Sequence, residues 1–97
     1  MVKKVVWSPK AQAERKSVLE YWVNRNKSKA YSLKLNTLIK EAINLIISNP
    51  DIGRKTDIPN VRIKIVRDYL IFYEVKDESL HILSFWDSRQ DPQKVKP

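Results

Sequence analysis

With 97 residues, 42% of them hydrophobic, three Trp and four Tyr, the chain has the length of one domain, 1–97, and enough apolar surface for one compact core, which excludes a disordered chain. The absence of cysteine removes disulfides and thiolate metal sites, and no apolar run is long enough for a signal peptide or a membrane span, so a cytoplasmic protein without membrane contact is expected. The formal charge of +8 is uneven, with ten Lys/Arg against three Asp/Glu in residues 1–50 and nine against eight in 51–97. A field of this sign draws nucleic acid, acidic protein or an anionic surface, and a Lys-rich solvated helical face accounts for it equally well.

Lys4 to Trp7 is short and β-branched, and Ser8-Pro9 follows as an N-cap with proline in the first helical turn. A strand thus leads into a helix that runs to Asn26, with Val18, Leu19, Trp22 and Val23 at helical spacing. Asn24 to Ser28 is polar, and Ser28 can cap a second helix, making an antiparallel hairpin. That second helix carries the clearest periodicity, Leu35, Leu38, Ile39, Ala42, Ile43 and Ile46, and Asn49-Pro50 ends it.

Asp51 to Asn60 reads as a loop holding the only glycine, Gly53, and two cations, Arg54 and Lys55. Val61, Ile63 and Ile65 then alternate with Arg62 and Lys64, which predicts a strand with an apolar core face and a basic wet face. Arg67-Asp68 is a tight turn. Tyr69 to Val75 is apolar on both faces apart from Glu74, as in a central strand, Lys76 to Ser79 is a hairpin connection, and Leu80 to Trp86 is the last strand. The tail from Asp87 is polar, with a frayed end. The order β-α-α-β-β-β implies an α+β domain, one antiparallel-rich sheet packed against a helical hairpin, with the direction of the first strand open.

Most catalytic inventories fail. One His, His81, excludes a multi-histidine metal cluster, one glycine cannot build a phosphate loop, and there is no Cys nucleophile. No cofactor or metal is expected. Arg62 and Lys64 stand roughly 6.6 Å apart on one strand face, close enough to hold neighbouring phosphates. With Arg54, Lys55, Arg67 and Arg89 they form a cationic set that could bind a phosphodiester and stabilise charge in a pentacovalent transition state. An ordinary solvated strand face explains the same alternation.

The segments N-P-D-I-G-R at Asn49 to Arg54, V-R-I-K-I at Val61 to Ile65, Y-L-I-F-Y-E-V at Tyr69 to Val75 and F-W-D-S-R-Q-D-P at Phe85 to Pro92 together resemble the RelE/ParE superfamily, toxins of bacterial type II toxin-antitoxin pairs. The RelE branch implies a metal-independent endoribonuclease that cuts messenger RNA in the ribosome, with Arg62, Lys64 and Arg89 as catalytic residues and Arg54, Lys55 and Arg67 as nucleic-acid-binding ones. That branch's arginine after the Tyr of the next strand falls at Leu70. The ParE branch implies poisoning of DNA gyrase without RNA cleavage, and a degenerate toxin would only bind its antitoxin. In every branch the resemblance implies a cognate antitoxin as partner, with operator DNA reached only through the antitoxin complex. A small basic RNA-binding domain unrelated to toxicity is the remaining alternative.

Overall fold

The computed structural model describes residues 2–89; the frayed end expected of the tail falls on residues 90–97, outside the described part. Strand β1 (Lys4–Trp7) leads into helix α1 (Pro9–Asn26), then helix α2 (Ala30–Ser48), a 3-10 turn (Pro50–Ile52), β2 (Arg54–Lys55), β3 (Val61–Val66), β4 (Tyr69–Lys76) and β5 (Ser79–Asp87). The strands form one sheet in the order β1-β5-β4-β3-β2. All neighbours are antiparallel except β1, which lies parallel to β5 at the edge and so fixes the direction that the sequence left open. The α+β architecture is the expected one with one strand more, because Arg54 and Lys55 pair with Ile63 and Arg62 instead of remaining in a loop.

Local chemistry sets the element boundaries. Ser8, in extended backbone, accepts the Ala11 N–H at 3.0 Å, while its hydroxyl donates to the Leu83 carbonyl at 3.0 Å. One side chain therefore caps α1 and ties its first turn to β5 at the bulge where Leu83 has no partner on β4. Lys27 ends α1 in the left-handed region (φ 51°), and Lys29 is the N-cap of α2, although Ser28 still accepts the Ala30 N–H. The Asp77-Glu78 turn between β4 and β5 has positive φ at both residues, 53° and 65°, the handedness a two-residue hairpin demands.

The core lies between the helices and one face of the sheet. From α2 it takes Leu35, Ile39, Ala42, Ile43 and Ile46, and from the sheet Val66, Tyr69, Ile71, Tyr73, Leu80, Ile82 and Phe85. Helix α1 buries only Ala11 fully, its Val18, Leu19 and Trp22 packing at the margin. Glu14 reaches the sheet edge that β1 leaves uncovered, accepting the Phe85 N–H at 3.1 Å and the Ser84 hydroxyl at 3.2 Å. Among the described residues no helix is long and apolar enough to cross a membrane.

The strand faces of β3 are a correction. The alternation predicted Val61, Ile63 and Ile65 inside and Arg62 and Lys64 outside; Val61 is buried, though outside the core cluster, whereas Ile65 is 53% exposed and Ile63 is half-buried like the two cations. Register gives the reason: Arg62 is opposite Tyr73, Lys64 opposite Ile71 and Val66 opposite Tyr69, and directly opposed residues share a face. The basic pair therefore projects from the helix-facing side, at its margin, because Val66 and not Ile65 anchors β3 in the core.

Candidate functional site

Arg62 does extend from the same face as Lys64, but its guanidinium is already engaged. It donates to the Gly53 carbonyl at 2.8 Å and the Asp51 carbonyl at 3.2 Å, and lies 3.5 Å from the Asp51 carboxylate. Beside it the Tyr73 hydroxyl donates to the Pro50 carbonyl at 2.8 Å and accepts the Gly53 N–H at 2.9 Å. Burial raises the Tyr73 pKa, against the lowering effect of the Gly53 hydrogen bond, so the phenol stays neutral and able to donate. Arg62 and Tyr73 together fasten the Pro50–Gly53 turn under the sheet. Gly53 has extended backbone; glycine is required there by close approach, since a Cβ would stand 2.5 Å from the Tyr73 oxygen.

Around this latch lies a groove of about 530 Å³ lined by Asp51, Lys55, Ile58, Arg62, Tyr73 and Val75. Lys55 shares the face of Arg62, which it opposes, whereas Arg54 opposes Ile63 and projects from the other side of the sheet. Lys64 lines a separate cleft of about 240 Å³ against α2 with Leu38, Glu41, Leu45 and Arg67.

Arg67 and Arg89 belong to the opposite end of the sheet. Arg67 is exposed in the β3–β4 turn with φ 55°. Arg89 grips Asp87 through both carboxylate oxygens, at 3.0 and 2.8 Å, and its backbone N–H adds a third bond at 2.9 Å. The side-chain hydrogen bonds from Arg89 hold the Asp87 carboxyl below the usual carboxylate range and raise the Arg89 pKa in return. The β4 partners of Arg62 and Asp87 are Tyr73 and Tyr69, so Arg62 and Asp87 are separated by four residues along the strand and two strands across, roughly 16 Å.

The expected catalytic set is thus dispersed. Arg62 and Lys64 are neighbours, Arg89 is remote from Arg62, and Arg54 faces away from both strand cations. Leu70 opposes Ile65, so that position lies on the sheet face away from Lys64. His81 opposes Glu74 on β4 and is likewise on that outer face. No group of three or more His, Cys, Asp or Glu gathers to hold a metal among the described residues. Among the described residues the arrangement supplies separated cations and clefts, and no nucleophile, base and phosphate clamp stand in one place. Sequence reasoning missed the latch residues Asp51 and Tyr73 and the partner of Arg89, although an Asp two residues before an Arg at a strand end carries a legible signal, since an Asp side chain bonds the backbone two residues on in a turn.

Comparison with known proteins agrees with this fold. The family model described as "ParE toxin of type II toxin-antitoxin system, parDE" matches residues 5–92. A solved structure described as "Chromosomal ParDE TA system from P. aeruginosa" superposes with a TM-score of 0.72 at 22% identity, over 88% of this chain and 94% of that one. No curated protein sequence matches.

Proposed function

This chain belongs to the family of ParE toxins of type II toxin-antitoxin systems, and on that premise we propose that it arrests growth by binding DNA gyrase, without cutting messenger RNA. The observation that carries the choice between the two branches is the commitment of Arg62: the cation expected to clamp the scissile phosphate is bonded to the Pro50–Gly53 turn. Releasing it would give up a part-buried contact with the Gly53 carbonyl, and a charge-assisted hydrogen bond contributes roughly 1.5–3 kcal/mol, less where solvent reaches it. The dispersal of Lys64 and Arg89, and an apolar Leu70 on the far face, point the same way. Activity as a poison requires surface complementarity and no proton transfer.

Arg54, Lys55, Lys64 and Arg67 then serve as contact residues for acidic protein surface, not as catalysts. A cognate antitoxin with an acidic segment neutralises the toxin by covering part of this surface, drawn by the net charge of +8. Induced expression without antitoxin, followed by a supercoiling assay with purified gyrase and mapping of ribosome-bound messenger, tests the reading. Growth arrest with inhibited supercoiling and intact messenger is the expected result. Codon-positioned cleavage that disappears in Lys64→Ala would overturn it, and unimpaired growth would leave a degenerate toxin that only binds its antitoxin.

A further inference from the structure

The geometry points to a basic pole at the tip of the helical hairpin that binds the phosphate backbone of duplex DNA directly. From Tyr21 to Lys40 the chain carries Arg25, Lys27, Lys29, Lys34 and Lys40 and no Asp or Glu. Arg25, Lys27 and Lys29 occupy the α1–α2 connection and its flanks, are all exposed, and join none of the ion pairs found among the described residues.

Aromatic side chains tie this tip to the sheet. Trp22, one turn before the end of α1, donates its indole N–H to the Tyr69 hydroxyl at 2.7 Å, and its ring packs on Tyr31 at the start of α2 with centroids 4.7 Å apart. Tyr69 directly follows the Arg67-Asp68 turn. At 1.5 Å of rise per residue Arg25 stands only ~4.5 Å beyond Trp22 along the helix axis. The tip of the hairpin and the β3–β4 turn therefore share one end of the molecule, but exposed Arg67 stands beside exposed Asp68 and lines the cleft with Leu38 and Glu41, so the pole consists of Arg25, Lys27 and Lys29.

Duplex phosphate is the ligand whose chemistry fits. Asn24, Asn26 and Ser28 alternate with the three hairpin cations, placing neutral donors beside charges in the mixture that backbone contacts use. Single-stranded nucleic acid requires several aromatic faces on which successive bases stack, whereas Trp22 and Tyr31 pack on one another and Tyr21 is the one largely exposed aromatic among the described residues, its ring edge-on to Trp22. The pole lies at the opposite end of the sheet from the Arg62 latch, and its role is independent of the gyrase reading. It also differs from the expectation that operator DNA is reached only through the antitoxin.

Fluorescence anisotropy of the full chain with a labelled random-sequence duplex of about 20 base pairs tests it. Three phosphate contacts give a slope of log affinity against log salt of about −2.7, or a loss of roughly 40-fold between about 50 and 200 mM salt. The variant Arg25→Gln/Lys27→Asn/Lys29→Gln, with Asn chosen for the left-handed position, should keep the unfolding midpoint of the parent and flatten the slope by about 2.7. Lys4→Gln/Lys55→Gln/Lys76→Gln removes the same charge from the other end of the sheet and should leave the slope unchanged. Equal weakening in both variants would assign binding to net charge alone, and absence of duplex binding at low salt, or binding only to anionic phospholipid vesicles, would equally overturn the pole.

Discussion

Tyr73→Phe removes one oxygen and leaves two backbone groups of the Pro50–Gly53 turn without partners. The ring is 1% exposed and Gly53 is buried, so water cannot readily replace the phenol as acceptor of the Gly53 N–H at 2.9 Å. The Pro50 carbonyl, half-buried, loses a donor at 2.8 Å. A buried unsatisfied group costs about 1–3 kcal/mol, and with partial rehydration at Pro50 the sum is about 2–4 kcal/mol. For a chain of this length that is a fall in melting temperature on the order of 10–20 °C. Urea unfolding followed by tryptophan fluorescence should show the midpoint lowered with the slope unchanged. Gly53→Ala sharpens the test: its Cβ would meet the Tyr73 oxygen at 2.5 Å, ring atom Cε1 at 2.7 Å and the Ile63 carbonyl at 2.9 Å. Removing the oxygen relieves the first clash and leaves the other two, so the double variant should be more stable than the sum of the singles predicts, by about 1 kcal/mol. A loss below about 0.5 kcal/mol for Tyr73→Phe, or additivity within about 0.3 kcal/mol, would refute the latch.

Glu14→Ala strips the Phe85 N–H and the Ser84 hydroxyl of their acceptor and should cost about 1–3 kcal/mol in the same unfolding assay, with hydrogen exchange at Phe85 accelerated ahead of the central β4 amides. Asp77→Asn with Glu78→Gly places the favoured residues at two positive-φ positions and should stabilise by about 1 kcal/mol, since the Lys3–Glu78 pair that it removes, at 3.3 Å, is largely exposed and worth little. Asp87 has its folded pKa depressed by Arg89, so its contribution is complete above the unfolded value near ~3.9 and disappears as pH falls through the lower folded value. Acid titration should therefore destabilise the parent more steeply below about pH 4 than it does Asp87→Asn, and parallel curves would contradict the pair.

The fold was legible where one periodicity had one interpretation. The α2 stripe and the apolar run of β4 each had a single buried arrangement, and Ser8-Pro9 marked the start of α1 because capping is a local interaction. Two placements depended on distant partners. β2 is two residues held by pairing with β3, too short for a pattern, and the parallel docking of β1 is decided by β5, more than seventy residues later.

Alternation on β3 identified which residues share a face but not which face is inside, because one step of register exchanges the two. Read to Ile65, the strand looks apolar on the odd positions; read one residue further, Val66 joins Arg62 and Lys64 on the even ones, and opposition to Tyr69, Ile71 and Tyr73 carries that side toward the helices. Arg62 then meets the Pro50–Gly53 turn instead of solvent, and its long apolar stem lies at the core margin while the charge finds carbonyls. The same spacing that makes two cations resemble a phosphate clamp makes one of them a fastener for the turn. If Arg62→Lys, which keeps the charge but not the planar fork, loosens that turn by about 1 kcal/mol in urea unfolding while toxin expressed at equal folded level still arrests growth, the side chain acts through the fold. Loss of arrest with unchanged stability would instead return Arg62 to the functional surface.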